Sequence, residues 1–475
     1  MGSLLPKLLL SFGESGLIAL KKEDKNTFWI VLAGVTLLLV YSFFWYPLRS
    51  QMDAGFHIAA LYQLSIFAPM ETYNSVYYYA FVGMCSIPFK VFHSLGIIEI
   101  PTLLHLSVIA SNILLLLVFL VGMLRVGHVL EFSRRERFLF CALTVFVPVI
   151  ITSFFMLRPE NLIFALAPWI IISFLALVFK NLETKSKLYY LFILSIAGGV
   201  AGAQKISGIA FLVALICSIL FFMPHRKSIF KRMAIPLLCL LISFCFFSVI
   251  DYGLSNVWFF QHHADKTPSY KSHPPSLDFF YSVDPTNVWE IPVRRKSPHI
   301  ESDHFVRSFW NIGIIELYGD FWRYGVLHYK LVQPANDANH YDWAVLRSRI
   351  GILGGSVVVA MFILGLITSV RRGYGSSGND QSITRLRLAL SVLVFGSPIL
   401  LYATTFTIFN PYKADTFKLT YVIMFLPFMY IPIVSMLKYL NKWMQQIVFI
   451  LLLCCLLIGV LQSIYAPPYF SFVGS

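Results

Sequence analysis

Long apolar windows recur along nearly all of the 475 residues of this chain. A window of about 20 apolar residues is long enough to cross about 30 Å of hydrocarbon as a helix. The chain is 58% hydrophobic and only 13% charged, which is typical of membrane proteins and excludes an ordinary soluble domain. The sequence therefore predicts an all-α polytopic membrane protein.

The windows predict about 11 to 13 transmembrane helices in total. The predicted crossings are 28–48, 101–124, 137–155, 162–180, 189–204, 206–223, 234–252, 350–370, 388–408, 419–437 and 446–465. Segment 77–97 is a further candidate.

The net charge of +14 is located in short connections between the apolar windows. Residues 253–348 hold nine Lys or Arg against ten Asp or Glu and are close to neutral. The basic connections include "RVGHVLEFSRRER", "PHRKSIFKR" and "RRGYGSSGNDQSITRLR". Short basic loops mark the cytoplasmic side of a membrane, so the charge indicates topology, and no nucleic-acid partner is expected.

The positive-inside rule also bears on segment 77–97. With a cytoplasmic N-terminus, every later basic connection is cytoplasmic only if 77–97 does not cross fully. Residues 253–348 then lie outside, so 77–97 is predicted to be re-entrant or interfacial. In the alternative, one of the pair 189–204 and 206–223 is a broken half-span, which is tolerated where it lines a cavity.

Three domains are predicted: an N-terminal membrane module (1–252), an extracytoplasmic loop domain (253–348) and C-terminal membrane helices (349–475). Aromatic residues are dense in the loop, which indicates a folded domain. All seven cysteines fall in or beside apolar runs, so no disulfide is expected. His262 and His263 could bind a divalent metal, but the loop has no established zinc spacing, and no metal ligands are assigned.

Polar islands at the predicted outward ends of spans indicate a site. Ionisable groups at membrane depth cost about 2.5–3.5 kcal/mol each on insertion, and they normally face an interior cavity. The candidate residues are Asp53 and His57 in "QMDAGFHIAALYQL", Glu71 and Tyr78 in "METYNSVYYY", Arg158 and Glu160 in "LRPENL", Lys205 in "GAQKISG", and Lys413 and Lys418 in "NPYKADTFKLTY". Asp320 in "ELYGDFWRYG" combines an acid with aromatics suited to gripping sugars, although these residues could equally form the core of the loop domain.

The order of these islands resembles the GT-C superfamily of membrane glycosyltransferases. An acidic outward loop is followed by a tyrosine-rich entry, then by an R-P-E-N-L motif and then by K-x-x-G. The closest similarity is to the branch of protein O-mannosyltransferases and lipid A aminoarabinose transferases. It covers about the first 250 residues and the run from Lys418 to Pro427.

The resemblance implies transfer of a sugar from a polyprenyl-phosphate donor to a saccharide, lipid or protein acceptor. Asp53 matches the acid of the family's first loop, which serves as catalytic base or binds a metal. Independently of the family, a carboxylate is needed to take the acceptor's proton, and a single base favours inversion. His57 either orients the acceptor or packs. The chain departs from the family at Ala54, where relatives often have a second acid, and no Lys follows Glu71.

Each of the charged residues near the later islands has two interpretations. Lys205, Lys413 and Lys418 either offset the negative charge of the leaving carrier phosphate or extend to the membrane interface. Arg158 and Glu160 either contact sugar or phosphate or form an intramembrane salt bridge. Glycines around Lys205 allow close backbone approach.

Two other functions compete with the glycosyltransferase. A transporter or flippase for lipid-linked saccharides would commonly show internal repeats, and none is found between the two halves. A polysaccharide ligase would share the substrate chemistry but not the early order of acid and tyrosines. The expected location is the plasma membrane with the site on the extracytoplasmic face, or the endoplasmic reticulum membrane in a eukaryote.

Overall fold

The fold is known from a computed structural model of the chain. It describes residues 29–30, 33–37, 61, 75–145, 147–155, 157–179, 182–223, 226–255, 283, 285–290, 309–318, 338–375, 383–394 and 423–464. Within these ranges the chain is mostly helical and contains no strand, which confirms an all-α protein.

Fourteen α-helices are numbered here in chain order, and residues 383–394 are also helical. They are α1 (Tyr77–Cys85), α2 (Ile87–Ser94), α3 (Ile100–Val129), α4 (Arg134–Val145), α5 (Pro148–Phe155), α6 (Glu160–Phe179), α7 (Thr184–Gln204), α8 (Ile206–Phe222), α9 (Arg226–Ser255), α10 (Pro285–Glu290), α11 (Phe309–Tyr318), α12 (Ala338–Gly375), α13 (Tyr430–Leu437, after a 3₁₀ turn over Ile423–Met429) and α14 (Lys442–Ile464).

Five of the described helices contain segments long and apolar enough to span a membrane: Ile100–Val129, Glu160–Phe179, Thr184–Gln204, Ser228–Ser255 and Ser348–Arg372. They coincide with five of the predicted crossings. The result supports a membrane-embedded protein.

Prolines divide two apolar segments into shorter helices: the predicted crossing 137–155, and segment 77–97, which is predicted to be re-entrant or interfacial. Segment 137–155 forms α4 and α5, and Pro148 is the first residue of α5. Segment 77–97 forms α1 and α2, and Pro88 lies in the first turn of α2. A proline has no N–H to donate to the preceding turn, so an apolar run can be continuous while its helix is not.

Helix α6 is the centre of the N-terminal bundle. It packs against α3, α7 and α9. Of its apolar window 83% is buried, against 22% for α9, whose outer face carries exposed Phe230, Leu238 and Phe246. An apolar face this exposed on a spanning helix suits contact with lipid.

The connection between α7 and α8 is a sharp elbow of one residue. Lys205 has extended backbone angles (φ −165°, ψ 153°) between two helices that pack against each other. A Cβ added at Gly208 would lie 1.9 Å from the carbonyl oxygen of Ala201. Only glycine leaves room for this approach, as predicted from the glycines around Lys205.

Arg387 connects the later helices to the N-terminal bundle. Its buried guanidinium donates hydrogen bonds to the carbonyl oxygens of Leu130 (2.6 and 3.0 Å) and Glu131 (3.1 Å), just after the end of α3. It also lies over the ring of Phe132 at 4.6 Å. Such contacts satisfy carbonyls that a helix end leaves unpaired.

The described part of the predicted loop domain includes α10 and α11. Tyr318, at the end of α11, lies so close to Gly355 that a Cβ there would be 2.2 Å from the tyrosine ring. Helix α12 begins at Ala338 and continues through residue 348 into its membrane span. Of the other residues of the loop, residues 253–255, at the end of α9, and residue 283 are also described.

Replacing Gly208 by alanine is expected to destabilise the protein by about 1–3 kcal/mol, because the new methyl group would collide with backbone. Gly253 is the matched control: it lies in α9, and a Cβ there would have no atom within 4 Å. Thermal unfolding in detergent measures both variants. Equal melting temperatures for Gly208→Ala and Gly253→Ala would contradict the tight elbow.

Candidate functional site

The candidate site lies where α1, α6 and α8 begin. Helix α6 begins at Glu160, directly after Arg158 and Pro159, and α8 begins directly after Lys205. The start of α1 contacts α7 through Gln204. Four of the predicted site residues, Tyr78, Arg158, Glu160 and Lys205, are brought together here.

Lys205 and Glu160 form a salt bridge inside the bundle. The Nζ atom of Lys205 donates to Oε1 of Glu160, and the two side chains are only 11% and 5% exposed. Arg158 is also buried and interacts electrostatically with Glu160. The carboxylate therefore interacts with two cations.

The positions of these charges follow from the helix ends. Glu160 occupies the first turn of α6, where the helix dipole favours a negative charge. Lys205 precedes the first turn of α8, where the dipole disfavours a positive charge. Glu160 thus offsets both Lys205 and the partial positive charge of its own helix end.

Gln204 fixes the start of α1 beside Lys205. Its Oε1 accepts a hydrogen bond from the backbone N–H of Tyr78 (3.0 Å), and its Nε2 donates to the carbonyl of Ser75 (3.2 Å). The N–H of Tyr78 is among those that an α-helix leaves unpaired at its beginning. The side chain of Gln204 therefore replaces a capping residue for α1.

Asp251 and Phe247, near the end of α9, hold the same helix start. The buried Oδ1 atom of Asp251 accepts from the N–H of Val76 at 2.9 Å. The hydroxyl of Tyr77 donates to the carbonyl of Phe247. Helix α1 is thus anchored to both α7 and α9 at its first turn.

The hydroxyl of Tyr78 points to a second group of buried amides. It donates to Oδ1 of Asn112 at 2.9 Å and lies against the backbone of Arg158. Asn161 donates to the same Oδ1 atom at 3.4 Å and to the carbonyl of Ser153 at 2.9 Å. This network joins α1, α3, α5 and α6 within the apolar bundle.

The remaining predicted site residues are outside the described ranges. They are Asp53, His57, Glu71, Asp320, Lys413 and Lys418. The histidines of the 253–348 loop are also outside them, apart from His340 in the first turn of α12. Across the part of the chain that the structure describes, no group of three His, Cys, Asp or Glu residues could hold a metal ion.

Four polar residues of the site were missed in the sequence: Asn112, Asn161, Gln204 and Asp251. Asn112 is the clearest omission, because an amide within the apolar window of α3 needs hydrogen-bond partners inside the bundle. Asn161 and Gln204 are direct neighbours of Glu160 and Lys205. Asp251 is an isolated acid at the end of an apolar window.

Comparisons of the chain with protein-family models, with curated proteins and with solved structures gave no match. The evidence for function therefore comes from the residues of the site.

The ion pair predicts the order of stability of variants at Glu160 and Lys205. Glu160→Gln leaves Lys205 and Arg158 close together without the carboxylate between them, and is expected to cost about 3 kcal/mol. Lys205→Met costs less, since Arg158 still compensates Glu160. Adding Lys205→Met to Glu160→Gln restores part of the loss, because one of the two cations that have lost the carboxylate is removed.

Equilibrium unfolding in detergent micelles measures these differences as a double-mutant cycle. Lys187→Met is the control, because Lys187 is an exposed lysine near the other end of α7. If the losses at Glu160 and Lys205 are simply additive, the two side chains are not energetically coupled.

Proposed function

We propose that this chain is a membrane glycosyltransferase that moves a sugar from a polyprenyl-phosphate donor to an acceptor on the extracytoplasmic face. The observation that carries the proposal is the buried Lys205–Glu160 pair with Arg158 beside it. Charged groups inside a membrane bundle are costly, and they commonly mark a functional site.

Two cations and two helix beginnings support an anionic ligand. Arg158 and Lys205 lie where α6 and α8 begin, and each helix beginning adds partial positive charge. A phosphate monoester or diester would be attracted to this junction. The apolar surface of the surrounding helices suits the hydrocarbon chain of a lipid carrier.

The elbow at Lys205, for which Gly208 leaves room, supports the same proposal. Backbone that departs from a regular helix at membrane depth is tolerated where it is buried in protein or lines a cavity. Here the departure occurs at Lys205, so that the ammonium group lies at a break between two helices.

In the proposed reaction, an acceptor hydroxyl oxygen bonds to the anomeric carbon while the bond from that carbon to the carrier phosphate oxygen breaks. Lys205 and Arg158 stabilise the negative charge that gathers on the leaving phosphate. Asp53 takes the proton of the acceptor hydroxyl. One displacement with one base inverts the anomeric centre.

The proposal includes a GT-C-like architecture, in which residues 253–348 form an extracytoplasmic loop domain over the membrane face. Asp320, Lys413, Lys418, His57 and Glu71 are proposed to complete the donor and acceptor sites. The proposed location is the plasma membrane, or the endoplasmic reticulum membrane in a eukaryote.

Transfer of radiolabelled sugar from a polyprenyl-phosphate donor pool tests the proposal in membranes that contain the whole chain. Asp53→Asn is expected to lower transfer by about 10²-fold or more, because the acceptor's proton has no base. Lys205→Met is expected to lower it by a similar factor, and Lys187→Met to leave it unchanged.

Each other outcome has a distinct meaning. Full transfer by Asp53→Asn and Lys205→Met at equal expression would remove both residues from the mechanism. Absence of transfer by the wild-type protein, with lipid-linked sugar still crossing the bilayer, would replace the enzyme with a flippase.

A further inference from the structure

We propose that Asn112 is a positioning residue that sets the relative positions of Lys205 and Glu160 through Tyr78 and Asn161. The hydrogen bonds that Asn112 accepts come from Tyr78 and Asn161 and not from the ion pair itself. Asn161 is the chain neighbour of Glu160, and Tyr78 is hydrogen-bonded to Gln204, the chain neighbour of Lys205. The inference rests on the proposed function only where it assigns the ion pair a role in sugar transfer.

The first connection runs from Asn112 to Lys205. Oδ1 of Asn112 accepts from the hydroxyl of Tyr78 at 2.9 Å, and the backbone N–H of Tyr78 donates to Gln204 at 3.0 Å. Gln204 is the last residue of α7 and is joined to Lys205 by a peptide bond. Tyr78 is therefore fixed at its backbone and at its hydroxyl.

The second connection runs from Asn112 to Glu160. The same Oδ1 atom accepts from Nδ2 of Asn161 at 3.4 Å. Asn161 is joined to Glu160 by a peptide bond and is held on its other side by Ser153, through contacts of 2.9 and 3.0 Å.

The two connections and the salt bridge form a closed ring. In order, the ring contains Lys205, Gln204, Tyr78, Asn112, Asn161 and Glu160. Asn112 and Tyr78 are the two members that are not chain neighbours of the pair, and one oxygen atom of Asn112 accepts both hydrogen bonds. Loss of that oxygen removes both of these hydrogen bonds at once and leaves only the contact between the Tyr78 hydroxyl and Asn161.

The four uncharged members of the ring are deeply buried. Tyr78, Asn112, Asn161 and Gln204 are each at most 1% exposed. Water cannot readily replace a lost partner at such depth, so an altered member leaves its neighbours to find other contacts. A shift of the first turn of α1 or α6 then moves Lys205 relative to Glu160.

The test measures the accessibility of Lys205 in the ion pair and does not require an assay of sugar transfer. The purified full-length protein in lipid nanodiscs is treated with an amine-reactive acetylating reagent, and the rate of modification at Lys205 is measured by mass spectrometry. An ammonium held by a buried carboxylate reacts slowly, and a displaced one reacts faster. Asn112→Ala is expected to raise the rate about fivefold or more.

Matched variants separate positioning from general stability. Ser111→Ala is the control, because Ser111 precedes Asn112, is equally buried and donates to Val108 of its own helix at 2.8 Å. Tyr78→Phe, which removes one hydroxyl, should act like Asn112→Ala. Asn112→Asp keeps an acceptor oxygen for both donors and should restore slow modification.

The inference is overturned if Asn112→Ala lowers the melting temperature but leaves the Lys205 rate within about twofold of wild type. In that case Asn112 only joins helices. It is also overturned if Ser111→Ala accelerates modification as much as Asn112→Ala. If Asn112→Ala does not fold, Tyr78→Phe alone decides: an unchanged rate contradicts the ring. None of these results depends on whether the protein transfers sugar.

Discussion

The contact on which the junction of α1, α6 and α8 depends is the salt bridge between Lys205 and Glu160. Two charges inside an apolar bundle destabilise it unless they compensate each other, and removing one partner is more harmful than removing both. Here each charge lies at the beginning of a different helix, α8 or α6. Satisfying the pair therefore fixes two helix ends against each other, with the buried Arg158 interacting with the same carboxylate.

The surrounding contacts are arranged so that this pair can form. The reversal after Gln204 requires the backbone of α8 to approach that of α7, which Gly208 permits. Helix α1 is then held at the elbow by Gln204 and at the end of α9 by Asp251. At a distance from this junction, Arg387 binds the end of α3 and keeps the later helices on the bundle. The same physical problem recurs in each case: a polar group inside an apolar environment must be given a partner.

Composition and hydropathy were sufficient to predict an all-α membrane protein and the positions of five spanning helices. Isolated charges in apolar sequence predicted that Arg158, Glu160 and Lys205 converge, because such charges need partners, and the structure brings them together. Their part in a functional site stays a prediction. Hydropathy does not register a missing N–H, which is why the break at Pro148 divided a segment predicted as a single crossing. The break at Pro88 lies in segment 77–97, for which a re-entrant or interfacial form is predicted. It also undervalues uncharged amides, and Asn112 was missed because a single Asn barely changes the mean hydropathy of α3. The pairing of Asn112 with Tyr78 and Asn161 depends on helix rotation, which a single sequence does not specify.

Binding of the lipid carrier to the wild-type protein is the most direct measurement of the proposed role of the junction. Full-length protein in nanodiscs would be titrated with polyprenyl phosphate and, separately, with the polyprenol of the same chain length. The two cations Arg158 and Lys205 predict a preference for the phosphate of about tenfold or more, because a phosphate forms charge-assisted contacts that the alcohol does not. That preference should be lost in Lys205→Met and kept in Lys187→Met. Equal affinity of the wild-type protein for phosphate and alcohol, or an unchanged preference in Lys205→Met, would contradict a carrier-phosphate site at this ion pair.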